Sequence, residues 1–468
     1  MCGGVRFPSC GCPDRVRAGE CSRSPFGVAG VLHYDLRPYV KRVEAAEPVP
    51  VYGRIVDIVG LTIQATGPEM SVGDLCYIQR RNSRERVPVE VVGFRDSRII
   101  LMALGDLRGI GPGSILIPRH KPRMVKVGAS LLGRVIGSLG NPIDGLPPPT
   151  GLMETPLMAG PPHPLERKRI TEPIATGVRA IDACVTCGKG QRVGIMSGSG
   201  VGKSKLTGMI ARNTNADVNV IALIGERGRE VRDFIEGDLG PEGLKRSVVV
   251  VATSDEPALL RLSGAYAATA IAEWFRGQGA DVMLIMDSVT RFAMAQREVG
   301  LAVGEPPTTK GYPPSVYALL PKLLERAGTS SNGSITGFYA VLVEGDDFND
   351  PIGDAVRSIL DGHIALSRSL ASRGHYPAVD VLESVSRTML EVTSERHRKL
   401  ATRLRQLLST YRDAEEMVNI GAYVAGSNPE IDTALRLMPQ IRQFLQQDLY
   451  EQSPFDQLER QMAAILRV

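Results

Sequence analysis

The most constraining feature of this sequence is a glycine-rich loop that joins a strand-like run to a helical run. The apolar residues 193–196 lead into the loop, and a helical segment begins at Lys205. Glycines let backbone N–H groups turn inward around an anion, and the N-terminus of the following helix adds positive charge. This pattern predicts a phosphate-binding loop made of Ser197, Gly198, Ser199, Gly200, Val201, Gly202, Lys203 and Ser204.

Two side chains of this loop are predicted to act on a bound nucleotide. We expect Lys203 to reach the β- and γ-phosphates of ATP and the hydroxyl of Ser204 to bind Mg²⁺. The strict motif has glycine where this chain has Ser197, but Gly198, Gly200 and Gly202 keep the mechanism intact. The alternative is an ordinary strand-to-helix turn that happens to contain Gly-Lys-Ser.

Two more apolar runs end in carboxylates. Residues 281–287 end at Asp287, and residues 220–226 end at Glu226. Because parallel strands end at one edge of a sheet, both side chains are expected beside the phosphate loop. We predict that Asp287 holds Mg²⁺, directly or through water, and that Glu226 activates the attacking water. The pattern leaves open that Glu226 is a surface residue paired with Arg227 or Arg229.

The order of predicted elements indicates three structured regions. Short β-rich runs between residues 51 and 118 favour a small barrel or sandwich, and alternating strands and helices between 177 and 387 favour an α/β domain with a parallel sheet. Amphipathic helical patterns follow. We predict a flexible segment at residues 1–47, a β-domain at 48–120, an α/β domain at 121–390 and a helical domain at 391–468.

Composition excludes several classes of protein. The net charge of +4 is small for 468 residues, and no apolar run approaches the roughly 20 residues of a membrane-spanning helix. The first 20 residues lack an uninterrupted apolar stretch, so we expect no signal peptide and a reducing, cytoplasmic location. Seven scattered cysteines argue against a disulfide framework, and the C-x-x-C pair Cys184 and Cys187 is interpreted as free thiols rather than a metal site.

Six short motifs occur in order and together resemble the rotary ATPase superfamily. The resemblance is narrower to the export ATPases of type III secretion systems, in particular the flagellum-specific ATPase, and it covers roughly residues 50 to 450. The motifs are Gly225-Glu-Arg-Gly-Arg-Glu230, Asp287-Ser-Val-Thr-Arg-Phe292, Gly311-Tyr-Pro-Pro-Ser-Val316, Leu342-Val-Glu-Gly-Asp-Asp347, Ile359-Leu-Asp-Gly-His363 and His375-Tyr-Pro-Ala-Val-Asp380.

The resemblance implies an N-terminal β-barrel, a central RecA-like domain, a C-terminal helical domain and a homohexameric ring with ATP at the subunit interfaces. It implies that Glu226 is the catalytic carboxylate, that Arg227 is a phosphate-side or interface charge and that Arg291 lies near the γ-phosphate. Tyr376 would stack on adenine, with a core tyrosine as the alternative. Arg387 would be an arginine finger given to the neighbouring subunit, with an exposed arginine in a solvated turn as the alternative.

The same resemblance implies a function and its partners. The expected function is Mg-ATP hydrolysis that energises flagellar protein export, through substrate unfolding or chaperone release. The expected partners are regulatory subunits of the export apparatus, chaperones and export substrates, with the chain peripheral at the inner-membrane export gate. The N-terminus departs from the family, because residues 1–26 are rich in Pro, Gly and Cys and cannot form its usual amphipathic helix without breaks. Residues 36–46 are the alternative contact segment.

Four other functions were weighed against this one. A virulence type III secretion ATPase shares the chemistry, but residues 419–432 look more like the flagellar branch. An ATP synthase β-type subunit lacks support because no match to its acidic C-terminal loop is present. A Rho-like RNA translocase would need an aromatic platform, yet residues 51–118 hold only Tyr52, Tyr77 and Phe94 as aromatics, so we expect no nucleic-acid partner. The combination of catalytic-type residues argues against a non-enzymatic ring subunit.

Overall fold

The computed structural model describes residues 35–44, 51–80, 83–119, 122–343 and 350–467. The chain forms two compact units, residues 1–50 and residues 51–468. The described part of the first unit contains one helix, α1 (Arg37–Glu44), inside the run predicted as weakly helical. The remainder of the predicted flexible segment, four of the seven cysteines and most of the motif 342–347 lie outside the described residues.

The second unit begins with a closed six-stranded barrel, as predicted. Its strands follow the order β1-β2-β5-β4-β3-β6, and every neighbouring pair is antiparallel. Alternate residues point inward, so Ile63, Cys76 and Val89 are fully buried in the barrel core. The strands are β1 (Gly53–Val59), β2 (Thr62–Thr66), β3 (Leu75–Gln79), β4 (Arg86–Arg95), β5 (Arg98–Ala103) and β6 (Ile115–Pro118).

A nine-stranded sheet, counted over the described residues, forms the centre of the second unit. Its path is β19-β18-β12-β17-β15-β13-β14-β8, with β16 paired to β17. All neighbours are parallel except β18 with β19 and β16 with β17. The sheet strands are β8 (Val135–Gly137), β12 (Arg192–Ser197), β13 (Val218–Glu226), β14 (Ser247–Thr253), β15 (Asp281–Asp287), β16 (Gly328–Thr329), β17 (Ser334–Leu342), β18 (Gly362–Leu366) and β19 (Val379–Ser386).

Two smaller pairs of strands flank this sheet. Antiparallel β7 pairs with β9, and antiparallel β10 pairs with β11. Their bounds are β7 (Met124–Val127), β9 (Met153–Pro156), β10 (Pro173–Ile174) and β11 (Cys187–Gly188). Residues 119–175, whose richness in Pro and Gly favours a connecting segment, therefore contain strands, and one of them, β8, joins the main sheet as an outermost strand.

The central strands read as continuous apolar runs because both faces of the sheet are covered. On β13, Val220, Ala222 and Ile224 pack into one buried cluster, while Ile221 and Leu223 pack into the cluster on the other face. The covering helices are α2 (Arg179–Cys184), α3 (Lys203–Asn213), α4 (Gly228–Asp233), α5 (Gly240–Lys245), α6 (Ala258–Gly277), α7 (Val289–Val303), α8 (Pro314–Leu324), α9 (Pro351–Ile359) and α10 (Arg368–Ser372).

A helical region completes the chain, as predicted. One long helix runs without a break where two helices were expected, at residues 391–411 and 414–420. The buried residues of this region belong to the same cluster as those of α3, so it packs on that face of the sheet. The helices are α11 (Met389–Val392), α12 (Glu395–Asn419), α13 (Pro429–Leu445) and α14 (Leu458–Leu466). Among the described residues, every helix is too short or too polar to cross a bilayer.

Candidate functional site

Three parallel strands of the sheet end at its carboxyl edge, with β17 lying between β12 and β15. β12 ends at Ser197, β13 ends at Glu226 and β15 ends at Asp287. β13 and β15 are hydrogen-bonded neighbours, with Leu223 opposite Asp287. The parallel order therefore brings the phosphate loop and both predicted carboxylates to one edge, where ligands of open α/β sheets bind.

The glycine loop adopts the backbone that its sequence requires. Gly200 and Gly202 have φ of +80° and +94°, a region that other residues rarely enter, and no atom would lie within 4 Å of a Cβ placed at Gly200. The hydroxyl of Ser197 is buried and has no hydrogen-bond partner among the described residues. Lys203 begins α3, whose first-turn N–H groups lack partners within the helix.

The ammonium of Lys203 lies between two carboxylates. It forms a close ion pair with Asp287, and its Nζ lies 3.5 Å from Oε1 of Glu226. Burial disfavours the charged ammonium, but the negative charges of Asp287 and then Glu226 outweigh it, so the pKa of Lys203 is raised. The lysine was expected on a surface-facing loop, whereas its side chain is largely buried in this charged cluster.

The carboxyl group of Glu226 is harder to ionise than that of an ordinary glutamate. Burial, and next the charge of Asp287, raise the pKa of Glu226 to about 7, because one ammonium cannot fully compensate two carboxylates. The alternative of a surface ion pair is wrong, since Glu226 is mostly buried and contacts Lys203. Arg227 pairs instead with Glu230 at 3.6 Å and is 80% exposed.

Arg291 packs directly against Gly225, the residue before Glu226. A Cβ at Gly225, whose φ is +71°, would lie 2.7 Å from Cβ of Arg291, so only glycine lets the arginine approach this closely. The Nε of Arg291 is buried and has no hydrogen-bond partner within the described residues. A buried guanidinium nitrogen without an acceptor fits a position that faces an anionic ligand.

Tyr376 lies beside the phosphate loop. Carbon Cε1 of its ring is 3.6 Å from the place where a Cβ at Gly202 would be. The side chain is 48% exposed, so the alternative of a core tyrosine does not hold. An exposed ring next to the loop leaves a face open for stacking.

Arg387 lies at the opposite edge of the same sheet. Arg387 directly follows β19, whose last residue Ser386 pairs with Gly362 at the start of β18. β18 runs parallel to β12, the strand that precedes the phosphate loop. Arg387 is therefore level with the start of β12, whereas the phosphate loop follows its end. That strand has six residues, and at about 3.3 Å per residue its ends are about 16 Å apart. The structure therefore brings together Lys203, Glu226, Asp287, Arg291 and Tyr376 but not Arg387.

One polar neighbour of the cluster was missed from the sequence. Glu230 shares a hydrogen bond with Glu226, which lowers the pKa of Glu230 and contributes to the raised pKa of Glu226. The only sequence signal was the closeness of the two glutamates within Gly225-Glu-Arg-Gly-Arg-Glu230, since Glu226 ends β13 and Glu230 lies in the first turn of α4.

Two family models match the chain over the sheet and the C-terminal helices. The model for the ATP synthase alpha/beta family, nucleotide-binding domain, matches residues 177–386, and the T3SS EscN ATPase C-terminal domain matches residues 393–464. A flagellum-specific ATP synthase of Bacillus subtilis is 54% identical over 90% of this chain and 96% of its own length. A type 3 secretion system ATPase of Xanthomonas euvesicatoria is 49% identical over 87% and 91%. The chain belongs to the family of flagellar and type III secretion ATPases.

Solved structures of this ATPase family agree with the fold. The assembled ATPase EscN from the type III secretion system of enteropathogenic E. coli superimposes with a TM-score of 0.84 at 44% identity, covering 88% of this chain and all of that one. EscN in complex with its central stalk EscO gives a TM-score of 0.82 at 43% identity, with the same coverage. The barrel, RecA-like domain and helical region expected from the sequence are therefore confirmed.

Proposed function

We propose that this ATPase hydrolyses Mg-ATP to energise flagellar type III protein export. The observation that carries the proposal is the cluster at the carboxyl edge, in which Lys203 lies between Asp287 and Glu226 beside a glycine loop. Phosphoryl transfer to water requires a lysine, a carboxylate that binds the metal and a carboxylate that acts as a general base, all around one phosphate loop.

The residues present fit a bound nucleotide. The loop offers backbone N–H groups and open space at Gly200. The hydroxyl of Ser197 and the Nε of Arg291 are among the buried polar atoms that have no hydrogen-bond partner within the described residues. In our mechanism the loop and Lys203 hold the β- and γ-phosphates of the substrate, and Arg291 neutralises charge near the γ-phosphate. Tyr376 stacks against the adenine, and Arg227 remains an exposed charge at the subunit interface.

The donor set also fits Mg²⁺. No cluster of three or more His, Cys, Asp or Glu side chains in the described part of the chain is arranged to hold a metal alone. Mg²⁺ usually takes one or two protein oxygens and completes its shell with water and substrate phosphates. We propose that the Ser204 hydroxyl and the Asp287 carboxylate supply those oxygens; the bound metal would neutralise charge that develops on the phosphates.

Glu226 acts as the base in this mechanism. A carboxyl group with a pKa of about 7 accepts a proton far better than an ordinary glutamate and is still ionised in a large fraction of molecules near neutral pH. It orients the attacking water and takes its proton as the water oxygen bonds to the γ-phosphorus. The bond between that phosphorus and the β–γ bridging oxygen breaks in the same step, so ADP leaves with the electron pair. The proton leaves to solvent when the products depart.

The proposal includes a ring. Arg387 lies level with the start of β12, and the phosphate loop follows the other end of that strand, about 16 Å away along its length. This separation supports a role for Arg387 at a site on another subunit. We therefore propose a homohexamer in which Arg387 stabilises the phosphoryl group bound to the next subunit. The assembled EscN structures, one of them with a stalk subunit, support this arrangement.

We assign the flagellar system rather than a virulence system. Flagellum-specific relatives reach 54% identity, against 49% for the type 3 secretion ATPase of Xanthomonas. In this proposal the ring works in the cytoplasm, peripheral to the inner-membrane export gate, with regulatory subunits, chaperones and export substrates as partners.

Gene deletion in the native host tests the assignment. We expect loss of filament assembly and motility, restored by the unsubstituted chain and not by Lys203→Ala, while any virulence-type secretion continues. Normal motility together with lost effector secretion would move the chain to the virulence branch.

A further inference from the structure

A buried glutamine holds the segment that carries Arg387. Gln191 is fully buried and directly precedes β12, the strand that leads to the phosphate loop. Its Nε2 donates to the hydroxyl of Ser386 at 3.1 Å, and its Oε1 accepts from the hydroxyl of Thr388 at 2.6 Å. The side chain therefore clamps the two residues on either side of Arg387.

The remaining polar capacity of Gln191 is also used. Nε2 donates to the backbone oxygen of Asp361 at 3.0 Å, and Oε1 accepts from the backbone N–H of Gly188 at 2.9 Å. Two donors and two acceptor sites are thus all occupied, which fixes the orientation of the amide. The backbone N–H of Arg387 donates to that same oxygen of Asp361 at 3.0 Å. Residues 386 and 388 are therefore bonded to Gln191, and residue 387 is bonded to the Asp361 oxygen that Gln191 also contacts.

The side chain of Arg387 differs from its backbone in how it is bonded. Its side chain is exposed and makes no hydrogen bond or ion pair within the part of the chain that the structure describes. Its backbone is fixed while its guanidinium is left without a partner. This is the arrangement expected of a group that is preorganised for a ligand outside its own chain.

We propose that Gln191 is a positioning residue for Arg387. The inference rests on the proposed function, because it assumes that Arg387 acts on the nucleotide of the neighbouring subunit. Gln191 directly precedes β12, the strand that leads to the phosphate loop, and its side chain bonds residues 386 and 388 on either side of Arg387. Through this link a subunit holds its finger in register with its own nucleotide-binding strand.

The test replaces the amide with an apolar side chain of similar shape, Gln191→Met. We expect kcat of the assembled ring to fall by up to about 10²-fold, as for a displaced catalytic group, while KM for ATP changes less than threefold. The milder variant Thr388→Val removes one arm of the clamp and should reduce kcat less. Asn219→Leu is the matched control, since it removes a fully buried amide near the start of β13 that contacts the Ala211 oxygen and the Ser247 hydroxyl.

Mixing of subunits separates finger placement from general damage. Gln191→Met keeps its phosphate loop, so added Lys203→Ala subunits, which supply an intact finger, should raise its turnover. Added Arg387→Ala subunits should not. Asn219→Leu should keep kcat within threefold at a similar loss of thermal stability.

Three outcomes would overturn the inference. Unchanged kcat in both Gln191→Met and Thr388→Val excludes a positioning role. A loss of kcat that Lys203→Ala cannot restore, although Arg387→Ala and Lys203→Ala restore each other, shows that Gln191 acts elsewhere. Failure of that last pair in assembled rings removes the trans finger of the proposed function itself, and this inference falls with it.

Discussion

The two edges of the central sheet differ in how their charged residues are partnered. At the carboxyl edge, Lys203, Glu226 and Asp287 satisfy one another inside the chain. At the opposite edge, Arg387 has a firmly bonded backbone but a side chain without a polar partner among the described residues. In the proposed function the first edge binds the nucleotide, and the second contributes Arg387 to the site of a neighbouring subunit. In our proposal the unit of catalysis is therefore an interface between two chains.

The largest expected effect comes from a substitution at the carboxyl edge of the sheet. Lys203→Ala removes the ammonium that we place on the transferring phosphate and leaves Asp287 and Glu226 as uncompensated neighbours. ATPase turnover should fall to background, measured as phosphate release under saturating Mg-ATP. Circular dichroism and ring assembly serve as controls for folding. Retention of about a tenth of the original turnover would contradict the role of the lysine.

Arg387→Ala tests the role of the arginine at the opposite edge of the sheet. An arginine finger is worth on the order of 10³–10⁵ in rate, so turnover should fall by that range while nucleotide binding persists. Because the side chain lacks a polar partner within the described residues, the melting temperature should change little. A fluorescent ATP analogue and a thermal scan measure the two quantities. Parallel loss of affinity and stability would indicate a structural arginine.

Glu226→Gln keeps the shape of the side chain and removes the base. Turnover should fall by about 10²–10⁴-fold with nearly unchanged affinity for ATP, since the phosphate contacts come from other residues. Single-turnover kinetics and equilibrium binding measure these separately. If both fall together, Glu226 serves mainly as an ion-pair partner of Lys203.

A pH profile follows from the raised pKa of Glu226. The base works when deprotonated, so kcat/KM should rise with pH, with a midpoint near the free-enzyme pKa of about 7, and level off above it. Glu230→Gln removes a neighbouring group that raises this pKa, so the midpoint should move to lower pH. A profile that stays flat from pH 5.5 to 8.5 in the unsubstituted chain would exclude this assignment of the base.

The smallest effect is expected at the C-x-x-C pair, because the proposed mechanism assigns no role to either thiol. Cys184 and Cys187 are both fully buried, and burial raises the pKa of each thiol, for Cys184 to about 12. The double variant Cys184→Ala with Cys187→Ala should keep ATPase activity within threefold, and alkylation of the native thiols should be slow. Stoichiometric zinc that disappears in the double variant would refute the interpretation as free thiols.

The sequence predicted the central parallel strands better than β18 and β19, which lie at one side of the sheet. β13 and β15 are uninterrupted apolar runs, because both of their faces are covered, and such runs are visible without a structure. β18 is short and β19 alternates apolar and polar residues, so neither was predicted as a strand. The break expected near Asp413 was also wrong, because exposed polar residues on one face do not end a helix.

At the site, too, a residue could be placed from the sequence only where a local apolar pattern marks the strand that carries it. Glu226 and Asp287 each end an apolar parallel strand, so strand direction alone places them at one edge. The location of Arg387 depends on the antiparallel return of β19, which no local pattern of residues encodes. Gln191 was missed for a similar reason, since its partners lie some 170 to 200 residues away in the chain.

The most direct test of the interface account is complementation between two inactive variants. Arg387→Ala keeps an intact phosphate loop, and Lys203→Ala keeps an intact finger. In a random one-to-one ring, half of the loops and half of the fingers are intact, so about a quarter of the interfaces combine both. We predict that mixed rings regain ATPase activity up to about that fraction of the unsubstituted rate, with a maximum near equal proportions. Mixed rings that assemble normally and show no activity at any ratio would contradict the account.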